Sequence, residues 1–164
     1  TVIMVGTYSP SAKFVKLAKQ KNPQLLFHSV SFVGPEKFLE EMGKEGEGVM
    51  ITQVMPPTNS GELLDGVKLY VDNLAKYYPE ETPSFGGLEV FVNARILIQG
   101  IRSSGRDLTR EKLISSLETI RDYSVGIGSP VSFSENSHQG LHKVFLTIIK
   151  NGEFVLYDHE MDKK

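Results

Sequence analysis

Short apolar runs and helically spaced apolar positions take turns along the first third of the chain. The runs at 1–6, 25–32 and 49–55 read as strands. Over 10–22, Phe14, Val15, Leu17 and Ala18 recur at helical spacing, while Lys13, Lys16 and Lys19 take other faces. Pro23 closes that helix, and Gly34-Pro35 opens a second one over 35–44. A strand–helix–strand–helix–strand series predicts parallel strands joined by right-handed crossovers, and so an α/β fold.

The pattern changes after Met55-Pro56-Pro57. Leu64, Val67, Leu69, Val71 and Leu74 predict a helix over 61–78, and a long helix follows over 85–104, ended by Gly105. The loop before it, 80–84, carries an N-cap signal. Thr109, three residues before Lys112, is a partial capping box for a helix through 120. Two last runs, 144–149 and 153–157, flank Lys150-Asn151-Gly152, and Asn-Gly predicts a type I′ hairpin turn. Three successive helices with no strand between them leave apolar faces to be covered. They either form a small bundle or cover a sheet that this sequence does not supply.

Composition narrows the function classes. Eighteen basic against twenty acidic residues give a net charge of -2, with no basic cluster interleaved with aromatics, which argues against nucleic acid as a partner. With no cysteine there is no disulfide, thiolate metal site or Cys nucleophile. No apolar stretch approaches the roughly 20 residues of a membrane span. The sequence holds no G-x-S-x-G elbow, phosphate-loop Gly-Lys-Ser/Thr, H-E-x-x-H or complete G-x-G-x-x-G. Gly126-Ile127-Gly128-Ser129-Pro130 reads as a flexible turn. No enzyme activity and no cofactor is expected. His138 and His142 are four apart, but Gly140 between them places the pair in a loop rather than on a metal-binding helix face. His28, inside a strand run, reads as a structural residue.

The most suggestive chemistry lies at the first strand–helix junction. Such loops sit at the carboxyl end of parallel strands, where open α/β sheets bind ligands. Ser9 as N-cap and Pro10 as first helical residue would leave amides pointing at the loop, a setting that favours a carboxylate. The abrupt opening inside a strand suggests a fragment of something larger.

The chain resembles the C-terminal half of a type I periplasmic solute-binding protein, in the branched-chain amino acid group of ABC-transporter receptors. The residues carrying the resemblance are Val5-Gly6-Thr7-Tyr8-Ser9-Pro10-Ser11-Ala12-Lys13-Phe14, Gly46-Glu47-Gly48-Val49, Leu88-Glu89 and Gly105-Arg106-Asp107-Leu108-Thr109-Arg110-Glu111. The strongest stretch is Ser129-Pro130-Val131-Ser132-Phe133-Ser134 followed by His138-Gln139-Gly140 and the final hairpin. Order and spacing together, rather than any single motif, make it specific.

The resemblance implies two lobes, each a parallel sheet flanked by helices, joined by hinge strands and closing on a ligand. Residues 1–54 would belong to the second lobe and 55–125 to the first, with 126–164 carrying the hinge crossing and the hairpin back to the second lobe. It implies non-catalytic capture of a small amino acid or related carboxylate in the periplasm, and delivery to a membrane permease. Thr7 and Tyr8 match a family contact. Ser31 and Phe32 end the second strand where many relatives place an acidic residue for the ligand's ammonium. Phe85 resembles a wall of the cleft, and Glu89, one turn on, faces the cleft or the hinge. Val90 stands where relatives have Gly and then an aromatic. Expected partners are a small-molecule ligand and either the missing N-terminal half or a second copy of the chain. Two other readings compete: an engineered or truncated half-protein that self-associates and binds nothing, and the sensing ectodomain of a signalling receptor.

Overall fold

A computed structural model describes residues 1–59 and 63–157. The chain divides into two compact units, Thr1–Gly61 with Val144–Lys164, and Glu62–Lys143.

The first unit is a five-stranded sheet with two helices. Its strands are β1 (Val2–Ile3), β2 (Phe27–Val30), β3 (Met50–Gln53), β6 (Phe145–Lys150) and β7 (Glu153–Leu156), lying side by side in that order. β1, β2 and β3 run parallel, as the sequence predicts, with Ile3 opposite His28 and Ser29 opposite Ile51. β6 runs antiparallel to β3, with Gln53 opposite Phe145, and β7 antiparallel to β6. The turn between them has positive φ at both Asn151 (54°) and Gly152 (80°), the type I′ geometry that Asn-Gly favours. β1 is shorter than the run 1–6 suggests. Met4 still donates to the His28 carbonyl at 2.8 Å, but Val5 has turned out and is 78% exposed.

Period-two alternation gives the sheet one dry face. Phe27, Ser29, Ile51, Gln53, Phe145, Thr147 and Ile149 are buried on it. The Thr147 hydroxyl donates to the Ile51 carbonyl at 2.8 Å, and the Ser29 hydroxyl to the Met4 carbonyl at 3.3 Å, so both pay little for burial. Helix α1 (Tyr8–Lys21) buries Ser11, Ala12 and Val15, and α2 (Pro35–Met42) buries Pro35, Phe38 and Met42. Phe14 of α1 meets Phe27 of β2 edge-on at 6.2 Å. Each fully buried Phe or Ile contributes roughly 1.5–3 kcal/mol over its exposed state. The opposite face is less dry: His28, Val30, Met50, Thr52, Leu146 and Ile148 are half-buried and Ile3 is exposed. His28 Nε2 meets Thr52 Oγ1 there at 2.7 Å, the structural role expected for it.

The second unit is helical. It holds α3 (Asp65–Tyr77), α4 (Phe85–Ser103) and α5 (Arg110–Glu118), followed by a ribbon of β4 (Tyr123–Ser124) and β5 (Pro130–Val131). The predicted helix over 61–78 begins at Asp65, and residues 60–62 lie outside the described residues. Ser84 caps α4 by accepting from the Gly87 amide at 3.0 Å, and Thr109 caps α5 by accepting from Lys112 at 3.2 Å. The core gathers Val67, Leu88, Val92, Val125, Ile127 and Val131. The backbones of Gly66 and Gly126 touch, with Gly66 donating to the Gly126 carbonyl at 2.8 Å, and a Cβ at Gly66 would stand 2.1 Å from the Val125 carbonyl oxygen. The outer side of α4 stays wet: Val90, Leu97, Ile98 and Ile101 are 40–68% exposed, and α5 buries no residue.

Candidate ligand-binding site

In the first unit, β1 and β2 end at the same edge, so the segments that leave them are neighbours. Each carries two of the residues singled out from sequence. After β1 the chain enters α1 at Tyr8, with Thr7 as the N-cap residue in an extended conformation (φ -79°, ψ 165°). The cap is therefore Thr7 and not Ser9, and Pro10 is the third helical residue. Proline fits there because that position's amide has no acceptor within the helix in any case. The Thr7 side chain makes no capping bond, and Ser11 donates the first intrahelical bond to the Thr7 carbonyl at 3.3 Å. No acidic residue sits in the first turn, and Lys19 and Lys21 occupy the last. The positive end of the helix dipole thus faces the loop without a carboxylate of its own helix.

After β2, Ser31–Val33 forms a 3-10 turn that hands over to α2 through Gly34, whose φ of 77° turns the chain. Val33 is buried and anchors the turn, Ser31 is half-buried, and Phe32 points outward with 69% of its surface exposed. Tyr8 reaches the same place, since a Cβ on Gly34 would lie 3.5 Å from its Cδ1, and the residue is 40% exposed. Thr7, Tyr8, Ser31 and Phe32 therefore form one edge: hydroxyls, an aromatic ring with a phenol, and a second ring open to solvent. Such a set suits a small zwitterion or a carboxylate with an apolar tail.

Two further residues belong to this edge that sequence reasoning passed over. Lys37, in the first turn of α2, has its ammonium pKa raised, first by the 2.6 Å hydrogen bond to Glu40 and then by that carboxylate's charge, with a smaller contribution from the Tyr8 phenol. A Lys two residues after Gly34-Pro35 was the available signal. Gln53, at the carboxyl end of β3 beside the 3-10 turn, is fully buried, and neither carboxamide atom has a partner among the described residues. Nothing in the local sequence marks it, because a single Gln in an apolar strand carries no periodic signature.

Phe85 and Glu89 lie in the second unit, one turn apart on α4. Phe85 is buried as the first residue of the helix, while Glu89 and Val90 face solvent.

Comparison with known proteins places this geometry in context. The family model for periplasmic binding protein matches residues 1–153. A possible leucine/isoleucine/valine-binding protein from Rhodopirellula baltica SH 1 is 33% identical over 97% of this chain and 42% of its own, with a TM-score of 0.89. A substrate-binding periplasmic protein from Ralstonia solanacearum is 25% identical over 95% of this chain and 45% of its own, with a TM-score of 0.81. A fatty acid ABC transporter substrate-binding protein from Thermomonospora curvata shares the fold at 18% identity, with a TM-score of 0.80 over all of this chain and 44% of its own. Comparison with curated proteins gave no match. The chain spans less than half the length of these solved structures. Among the described residues no helix is long and apolar enough to cross a membrane. The chain belongs to the periplasmic binding protein family.

Proposed function

We propose that this protein takes part in the non-catalytic capture of a small amino acid or related carboxylate for an ABC transporter in the periplasm. The observation that carries the reading is the meeting of Tyr8 with the turn that holds Ser31 and Phe32, beside the open N-terminus of α1. A ligand carboxylate would be held by the α1 amides and the Thr7 hydroxyl. Tyr8 and Phe32 would cover its apolar part, and Ser31 would accept from an ammonium. In this reading residues 1–54 belong to the second lobe, 55–125 to the first, and 126–164 supply the hinge crossing and the terminal hairpin. Phe85 and Glu89 are then the first lobe's contribution, and a permease is the downstream partner.

The test is a thermal-shift panel on the 164-residue chain with leucine, isoleucine, valine, their deaminated acids and a medium-chain fatty acid. A saturable stabilisation by the amino acids, lost in Tyr8→Ala, is the expected result. Stabilisation by the fatty acid alone redirects the ligand class, and a panel without any shift removes the capture role from this chain.

A second reading draws on the exposed stripe of Val90, Leu97, Ile98 and Ile101, which favours self-association of the chain. Light scattering at two concentrations separates the two: a monomer throughout removes this second reading.

A further inference from the structure

We propose that the loop after α5 holds a second, independent site for a phosphate-type oxyanion. A cavity of about 410 Å³ opens there between the end of α5 and the segment 129–143, large enough for a small ligand. Its wall is unusual for its charge and hydroxyl content. Arg121, His142 and Lys143 line it together with the hydroxyls of Ser129, Ser132 and Ser137, and Asp122 is the one carboxylate among its lining residues.

Two of these groups are fixed in advance. Arg121 Nη1 donates to the carbonyls of Glu118 (2.6 Å), Ile120 (3.0 Å) and Phe133. All three contacts fall on Nη1, whose two protons are shared among the carbonyls, so Nε and Nη2 keep protons for another acceptor, and carbonyls do not cancel the charge. Asp122 adopts a left-handed backbone with φ 47°, uncommon outside glycine, and its amide is held by the Ser132 hydroxyl at 2.9 Å. The same hydroxyl lies 3.4 Å from Asp122 Oδ1, so the carboxylate is drawn toward a donor of its own wall. Lys143 Nζ lies 3.3 Å from the Gly128 carbonyl across the mouth.

The simplest account of Arg121 is that it caps the carbonyl end of α5. That role explains the bonds to Glu118 and Ile120. It does not explain why the cap opens onto a cavity with a second cation and several hydroxyls, a set that complements a tetrahedral oxyanion carrying more than two acceptors. The volume exceeds that of the free ion, which leaves room for the polyol of a small phosphate ester.

The test is a ¹⁵N-resolved NMR titration of the 164-residue chain with inorganic phosphate, and separately with glycerol phosphate, at ionic strength held constant by chloride. Saturable shifts confined to the amides of 121–124 and 132–140 are expected. Tighter binding of the ester assigns the remaining volume to its polyol, and equal binding assigns the site to the free ion. The double variant His142→Gln, Lys143→Gln removes exposed side chains, leaves the Arg121 cap intact, and weakens binding about five-fold, the upper end for solvent-exposed charge pairs. Shifts that never saturate, that fall instead at Thr7–Ser11, or that are unchanged in the double variant overturn the proposal. The capture site on the first unit is untouched by these substitutions, so either reading fails without the other.

Discussion

The sheet unit and the helical unit spend their apolar residues differently. In the sheet unit, Phe27, Ile51 and Ile149 of the strands and Phe38 and Met42 of α2 lie at 1% exposure or less. In the helical unit, α4 has the highest mean hydropathy among the five α-helices yet leaves Val90, Leu97, Ile98 and Ile101 wet. Helices of matched amphipathicity need a partner surface, and among the described residues one side of α4 has none. A helix can therefore be fully specified by its own residues while the surface it was shaped for is not.

The contrast is sharpest where burial differs most. Phe38→Ala should cost about 3–5 kcal/mol in urea unfolding, the range for large-to-small changes in a closed core. Leu97→Ala should stay within about 0.5 kcal/mol, as for surface changes generally. Equal losses would mean that the α4 face is covered in solution. Next comes the tightest contact of the helical unit. Gly66→Ala pushes a methyl into the Val125 carbonyl and should cost about 1–3 kcal/mol, read as faster amide exchange over α3 and the 125–128 loop. If exchange there stays unchanged, that close approach is not part of the unit's packing.

One expected effect has the opposite sign. Gln53→Leu replaces two enclosed polar atoms without partners by carbon, and should raise stability by about 1 kcal/mol. A loss instead would show that an internal water satisfies the amide.

How much of this was legible depends on which physical signal each part leaves in the chain. β2, β3 and the hairpin were readable because apolar runs bounded by Pro, Gly and Asn-Gly can do little else. α4 and α5 were readable from spacing and caps. The ribbon of β4 and β5 was missed, since Tyr123-Ser124 and Pro130-Val131 are too short to show any period. The start of α1 was misplaced by two residues because Ser-Pro is the usual signal, and a bond from Ser11 to the Thr7 carbonyl outranked it. Of the site, Thr7, Tyr8, Ser31 and Phe32 fall together because the ends of adjacent parallel strands are neighbours, which the strand order encodes. Lys37 and Gln53 needed the folded chain, since only packing reveals that a cation sits beside Tyr8 or that an amide is enclosed.

The pairing of Gln53 with Phe145 also governs how the protein is made. The Thr147 hydroxyl and the Ile51 carbonyl it bonds are 96 residues apart in sequence. At a ribosome's pace of about 5–20 residues per second, β3 waits roughly 5–20 s for β6 to emerge. During that interval β3 is a bare edge carrying Ile51 and Gln53, open to pairing with any other nascent strand. The helical unit is, in this sense, a long loop closed by two adjacent strand ends. Replacing it by a short turn between those ends would let the sheet finish during synthesis without the wait.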